Sequence, residues 1–312
     1  MTRLAAIDVG TNTTRLLVCD VQSSLVPVAR DLEVTRLGEG VDASARLDPE
    51  ALARTVRRIA SYAERARDLG ATRVRVAATS AARDAANRDE LCAAVSSETG
   101  LELEILDGAD EGRLTFLGAT LGLGEGPFCV VDIGGGSTEF VRGTVEAEAV
   151  ISVDVGSVRL RERCLTSDPP TQGEIGGARA VVDAALVEAE RHVGLVGDET
   201  LVGVAGTVTT LTALVAGLQS YDASLVHHAR LAVRDVREWT QRLLSLPVAD
   251  IRPLAAVHPG RADVIAAGAL IWERIMDRWG FEEALVSETD ILDGLVADMA
   301  GVSGGEEIDA FG

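Results

Sequence analysis

The feature that most constrains this chain is that it begins twice. Ile7-Asp8-Val9-Gly10-Thr11-Asn12-Thr13 is echoed by Val131-Asp132-Ile133-Gly134-Gly135-Gly136-Ser137, a displacement of 124 residues from position 7 to position 131. Each copy is an apolar run ending in aspartate, a turn of small polar residues, and a second apolar run, which reads as strand, turn, strand. A period of this length is too long for a solenoid and fits a duplicated α/β domain. The stretch Gly122-Leu123-Gly124-Glu125-Gly126-Pro127 is the natural boundary, because its glycines and proline suit neither a helix interior nor a central strand.

Around this repeat the chain reads as alternating strands and helices. Asp48-Pro49 starts a helix with apolar spacing through Leu52, Val56, Ile59 and Ala63, and Gly70 stops it. A strand is expected over 73–78, then a helix capped by Asn87 with Glu90 three residues on, then an alternating strand over 101–105. In the second half, helices are expected at about 175–193, 233–244 and 262–278. The predicted domains are 1–124 and 125–300, with an acidic tail at 302–312. A helix near 294–301 is a candidate to pack back on the first domain. The uncharged stretch Thr200–Ser220 is rich in Val, Leu and Ala, but Gly203, Gly206, Gly217 and its threonines favour a strand, a glycine turn and a helix start over a membrane span.

Charge narrows the chemistry. Basic residues number 29 against 49 acidic ones, a net charge of −20, which argues against a general grip on nucleic acid or anionic membrane. All the basic residues are arginine. With no lysine in the chain, a P-loop lysine, a Schiff-base lysine and a kinase strand lysine are all excluded. Cys19, Cys92, Cys129 and Cys164 show no C-x-x-C spacing and read as buried free thiols in a reducing compartment. The N-terminal residues show no secretion signal, so the expected location is cytoplasmic.

The two turns are the first candidates for chemistry. A tight turn of Gly, Ser and Thr lets successive backbone amides point into one concavity, where a phosphate can approach without a side chain in the way. An aspartate ending the preceding strand, as Asp8 and Asp132 do, can hold hydrated Mg²⁺ against phosphate oxygens. Gly203-Val204-Ala205-Gly206-Thr207 sits before a helix start, where an anion is favoured, although helix packing explains the glycines equally well. Asp107-Gly108-Ala109-Asp110-Glu111-Gly112-Arg113-Leu114 opens a helix with an acidic run. It reads either as favourable charge at a helix N-terminus or as the source of a general base. His227 and His228 are adjacent, so their side chains are expected to diverge, and His258 marks a turn.

Taken together these residues resemble the exopolyphosphatase and guanosine pentaphosphate phosphohydrolase (Ppx/GppA) family, in its short form. The resemblance is carried by 7–15, Ala78-Thr79-Ser80-Ala81-Ala82-Arg83, Glu111-Gly112-Arg113-Leu114, Asp132-Ile133-Gly134-Gly135-Gly136-Ser137-Thr138-Glu139, 203–207, and Pro259-Gly260-Arg261-Ala262-Asp263. It implies two ribonuclease H-like domains of the actin-like ATPase superfamily, α/β with mixed sheets, facing across a cleft. It implies Glu111 as catalytic base and Asp8, Asp132 and Glu139 as metal-associated carboxylates. Phosphate binding would fall to Gly10, Thr11, Asn12, Thr13, Arg15, Arg83, Gly134, Gly135, Gly136, Ser137, Thr138, Gly206 and Thr207. The chain has Asp110-Glu111 where two glutamates are common in the family, and Thr11 where serine is frequent.

The function so implied is Mg²⁺-dependent hydrolysis of the terminal phosphate of inorganic polyphosphate, with Mn²⁺ as an alternative metal and a monovalent cation as a further cofactor. A chain ending near residue 312 without the helical C-terminal domains of longer relatives would favour short polyphosphate. The same chemistry on guanosine pentaphosphate is the runner-up. An actin-like ATPase or a nucleotide-binding regulator is the alternative of another class. Relatives suggest a homodimer, and no nucleic-acid or membrane partner is expected. An acidic protein acting on a polyanion should carry an arginine-lined channel.

Overall fold

The computed structural model describes residues 2–302 apart from 23 and 196; the predicted acidic tail, from 303 on, lies outside the described residues. The chain forms two compact units. One gathers the residues up to Gly126, the turn Thr144–Ala147 and the segment from Thr289; the other gathers Pro127–Gly143 and Glu148–Glu288.

The first unit is a five-stranded sheet in the order β3-β2-β1-β4-β5. Its strands are β1 (Thr2–Val9), β2 (Thr13–Val21), β3 (Leu25–Val34), β4 (Arg73–Ala78) and β5 (Leu103–Ile105). The first three form an antiparallel meander, and β4 and β5 add on parallel to β1. The apolar run of β1 is continuous because both faces of this central strand are covered. Ala5, Ile7 and Val9 pack with Val56, Ile59 and Leu91 on one face. Leu4 and Ala6 pack with Leu114, Ile291 and Leu295 on the other.

Local signals set several of these elements. The helix Pro49–Asp68 starts where Asp48 accepts from the amides of Glu50 and Ala51, with proline in its first turn. The helix Arg88–Thr99 ends at left-handed Gly100, but Asn87 does not cap it. Its side chain instead exchanges hydrogen bonds with the backbone of Leu47, accepting at 2.8 Å and donating at 3.2 Å, so a loop contact has taken the capping group. The expected strand over 101–105 shortens to Leu103–Ile105, which pairs only with β4 at the sheet edge. The helix Ile291–Ala300 crosses Gly108–Ala119 at glycine on both sides. A Cβ on Gly118 would fall 1.9 Å from the Asp290 carbonyl oxygen, and one on Gly294 would fall 1.9 Å from that of Leu114. The segment from 289 thus belongs with the first unit.

The second unit is a six-stranded sheet in the order β10-β11-β9-β6-β7-β8. Its strands are β6 (Phe128–Ile133), β7 (Thr138–Gly143), β8 (Ala147–Val153), β9 (Thr200–Val204), β10 (Arg230–Ala232) and β11 (Glu283–Val286). Strand β6 pairs antiparallel with β7 and parallel with β9, and β9 pairs parallel with β11. The order β8-β7-β6-β9-β11 therefore repeats β3-β2-β1-β4-β5 strand for strand, with β10 added antiparallel at the edge. This repetition of a mixed sheet is the ribonuclease H-like pattern expected from the sequence. Helices Gln172–Val193, Val233–Ser245 and Ile265–Trp279 stand at the expected places. The apolar stretch 200–220 is β9 followed by the helix Ala205–Val215, and among the described residues no helix is long and apolar enough to cross a membrane.

Candidate active site

The two D-x-G turns are the same turn built twice. Gly10 N donates to Thr13 O at 2.9 Å and Gly134 N donates to Ser137 O at 3.0 Å, each closing the connection between the first two strands of its unit. Among the described residues the amides of Thr11, Asn12, Gly135 and Gly136 donate to no backbone carbonyl, which leaves them available to an anion. Thr11 and Ser137 are buried, while Gly10, Asn12, Thr13, Gly134 and Gly135 are partly exposed. Thr138 differs from the expectation. Its hydroxyl, fully buried, donates to Val155 O at 2.5 Å, so it faces the protein and only its backbone stays near the turn.

The strand register gives the two aspartates opposite surroundings. Asp8 lies directly across from Arg15 on β2, and Asp132 lies directly across from Glu139 on β7. Directly opposed residues of an antiparallel pair share a face with neighbouring side chains. In the first unit the pair is therefore an ion pair. Arg15 donates to Asp8 Oδ2 from Nε at 2.9 Å and from Nη2 at 2.7 Å, and its Nη1 donates to Asp290 Oδ2.

Arg15, expected on a phosphate, is thus held between two buried carboxylates, and Asp8, expected beside a metal, has a guanidinium for its partner. Burial pushes the Asp8 carboxyl up from its ordinary value, while Arg15 opposes that rise. At Asp290 burial also acts upward, but Arg15 and Arg30 outweigh it and hold the carboxyl below the usual range.

In the second unit the equivalent pair carries two carboxylates, 8% and 1% exposed for Asp132 and Glu139. Glu139 Oε1 accepts from Ser152 Oγ at 2.6 Å. Two buried acids facing each other repel unless a cation or proton joins them. Paired carboxylate oxygens are the donors that Mg²⁺ accepts, with water completing its shell. Among the described residues no group of three or more His, Cys, Asp or Glu side chains is gathered, so a divalent ion here would take Asp132 and Glu139 and draw its other ligands from water or phosphate.

Glu111 lies in the first turn of the helix Gly108–Ala119, whose N-terminus is capped by Asp107 accepting from the amides of Ala109 and Asp110. The residue is 7% exposed. Its Oε2 accepts from Arg83 Nη1 at 2.8 Å, and the same nitrogen donates to Leu106 O at 3.1 Å. Arg83, expected on a phosphate, is thus engaged with the candidate base.

The third glycine element differs again. The helix Ala205–Val215 begins at Ala205, held at φ +64, a left-handed conformation that is uncommon away from glycine. A Cβ on Gly206 would fall 1.9 Å from Arg261 Nη1, so glycine is required for that guanidinium to lie on the helix start. In the sequence Arg261 follows Pro259-Gly260, a turn signal that does not mark it as a residue of the site. Thr207 is buried against Gly268, where a Cβ would meet Thr207 Oγ1 at 2.4 Å.

The rings of His227 and His228 stack at 3.7 Å instead of diverging, because His228 at φ +62 reverses the chain. His258 accepts from Gly260 N at 3.1 Å, as a turn residue does.

The Ppx/GppA phosphatase family profile matches residues 17–302. Exopolyphosphatase 2 of Mycobacterium tuberculosis is 46% identical over 317 residues, taking in 96% of this chain and 99% of its own. The crystal structure of the Aquifex aeolicus member of the Ppx/GppA family superposes with a TM-score of 0.82 at 30% identity, over 96% of this chain and 97% of that one. An exopolyphosphatase structure from Cytophaga hutchinsonii, 24% identical, shares the fold with a TM-score of 0.89, over 96% of this chain and 99% of that one. With its paired turns, repeated sheet and near full-length match, the chain belongs to the Ppx/GppA phosphatase family.

Proposed function

We propose that this protein is an exopolyphosphatase, a phosphoanhydride hydrolase that releases the terminal phosphate of inorganic polyphosphate by attack of water. The observation that carries the reading is Glu111, a buried carboxylate fixed by Arg83 at a helix start. A general base needs an acid held in one orientation, and a charge-assisted hydrogen bond supplies that. Glu111 orients the water and takes its proton as the oxygen attacks phosphorus. Arg83 positions Glu111 through Nη1. The similarity to Exopolyphosphatase 2 over nearly the whole chain supports polyphosphate as the substrate.

The amides of Thr11 and Asn12 in one unit and of Gly135 and Gly136 in the other bind phosphate oxygens, in turns that Gly10 and Thr13, and Gly134 and Ser137, close. Gly206 and Thr207 add backbone donors at a helix start, beside Arg261. Asp132 and Glu139 are the residues to hold Mg²⁺, which when bound neutralises charge on the transferred phosphoryl group. The free cysteines agree with a reducing, cytoplasmic setting. A homodimer follows from the family resemblance alone.

The test is phosphate release in the presence of Mg²⁺ from polyphosphate, guanosine pentaphosphate and ATP, each supplied separately. Release from polyphosphate is expected. Release from guanosine pentaphosphate alone would move the substrate to the nucleotide, and release from ATP alone would move the protein to the ATPase class.

A further inference from the structure

Each turn is backed by a second stretch of chain whose amides donate to its carbonyls, at Thr11 and Asn12 in the first unit and one position earlier, at Gly134 and Gly135, in the second. In the first unit the chain leaves β3 and returns to the turn. The amides of Thr35 and Arg36 both donate to Asn12 O, at 3.0 and 2.9 Å, and Gly38 N donates to Thr11 O at 2.9 Å. In the second unit the chain leaves β8 and does the same. Ser157 N donates to Gly134 O at 2.9 Å, and Val158 N and Arg159 N donate to Gly135 O at 2.9 and 3.0 Å. A threonine hydroxyl at the start of the following strand ties each pair together. Thr14 Oγ1 meets Thr35 Oγ1 at 2.8 Å, and Thr138 Oγ1 donates to Val155 O at 2.5 Å.

Glycine stands where each backing touches its turn. A Cβ on Gly38 would lie 2.3 Å from Thr11 Cγ2. One on Gly156 would lie 2.5 Å from the carbonyl carbon and oxygen of Gly135 and 2.6 Å from the carbonyl carbon of Gly136. The obstacle at Gly156 is backbone, which cannot rotate aside as a side chain can. Arg36 is held at φ +50, a conformation that a non-glycine residue keeps only when its surroundings impose it.

We propose that Thr35–Gly38 and Gly156–Arg159 are positioning segments that aim the turn amides at phosphate. The reasoning runs through the planarity of the peptide. The carbonyl of one residue and the amide of the next belong to one trans plane and point in opposite directions. Tying back the carbonyls of Gly134 and Gly135 therefore turns the amides of Gly135 and Gly136 the other way, and tying back Thr11 O does the same for the amide of Asn12. The backing also withdraws the carbonyl oxygens that would repel an anion. This rests on the phosphate-binding reading of the turns given above.

Ser157→Pro tests the segment directly. Ser157 opens the helix Ser157–Cys164, where proline is tolerated, and Gly156 before it is extended, as a residue preceding proline prefers. The variant removes the amide that donates to Gly134 O. Ser157→Ala keeps that amide and loses only the Oγ contact to Gly134 O at 3.2 Å. Orthophosphate is the probe. Ser157→Pro is expected to weaken its Kd and raise KM for polyphosphate about tenfold, with Ser157→Ala within about threefold of wild type. Gly156→Ala is expected to cost about a hundredfold in kcat/KM by displacing the turn. Hydrogen exchange without ligand gives a second readout, in which the Gly134 amide should exchange faster in Ser157→Pro and Gly156→Ala while β6 is unchanged. Unchanged exchange and unchanged affinity in both variants would overturn the proposal. If the wild type releases no phosphate from polyphosphate, the proposed function fails by itself, and the exchange rates alone decide whether the segment positions the turn.

Discussion

Arg15 and Glu139 occupy the same place in the two sheets, each directly across from the aspartate one residue short of the end of the first strand of its unit. One unit thereby neutralises its aspartate with a guanidinium, and the other sets a second carboxylate against it. The duplication has kept the backbone and divided the chemistry between its copies.

Arg15→Ala should therefore act on stability. It leaves Asp8 and Asp290, 3% exposed each, without their shared cation. Breaking a buried ion pair from one side costs about 3–5 kcal/mol. Chemical denaturation is expected to show a loss of that order. If stability is unchanged and only KM rises, Arg15 binds substrate instead.

Asp132→Asn and Glu139→Gln should shift the Mg²⁺ dependence of phosphate release to higher concentration, since each removes one carboxylate of the pair. Neither should reproduce the stability loss of Arg15→Ala, because each also relieves like-charge repulsion. A titration of activity against Mg²⁺ beside a thermal melt checks both statements. An unaltered Mg²⁺ dependence in both variants would exclude the pair as the metal site.

Much of this was legible where the signal is local. The paired turns, the Asp48 cap and the helix Pro49–Asp68 each depend on residues within a few positions of one another. The second partner of Arg15 was not legible, because Asp290 lies 275 residues away. Asn87 looked like a cap by its spacing to Glu90, but a loop backbone 40 residues distant took its side chain. The positioning segments left little trace, since backbone amides donate whatever the residue type. Only Gly38 and Gly156 mark them, and glycine alone does not say what it lies against.

Acid stability should depend on Glu174. Backbone and hydroxyl donors of Thr171, the Thr166 hydroxyl and the Ser167 amide hold its carboxyl well below the usual carboxylate range. Its folded value lies below its unfolded value. The contribution is therefore present above about pH 4.3, the ordinary glutamate value, and is lost as pH falls through the folded value. The Tm of Glu174→Gln should fall below that of wild type at pH 7, and the difference should close as pH drops below about 4. A difference independent of pH would contradict this.

Cys19 and Cys129 should resist thiol reagents in the folded protein. Burial pushes the Cys19 thiol up to about 12, with Asp293 adding to the rise, and burial pushes Cys129 up as well. The thiolate is the reactive form. Reagent added near pH 8 should label both only after denaturation, as mass spectrometry of the labelled peptides would show.

The most direct measurement of the central claim is phosphate release from polyphosphate by Glu111→Gln, with polyphosphate binding measured on the same preparation. Glutamine keeps the shape of the side chain and can still accept from Arg83, but it cannot take a proton from water. Retained binding and a loss of turnover of about two to four orders of magnitude are expected. Wild-type turnover in this variant would remove Glu111 from the chemistry.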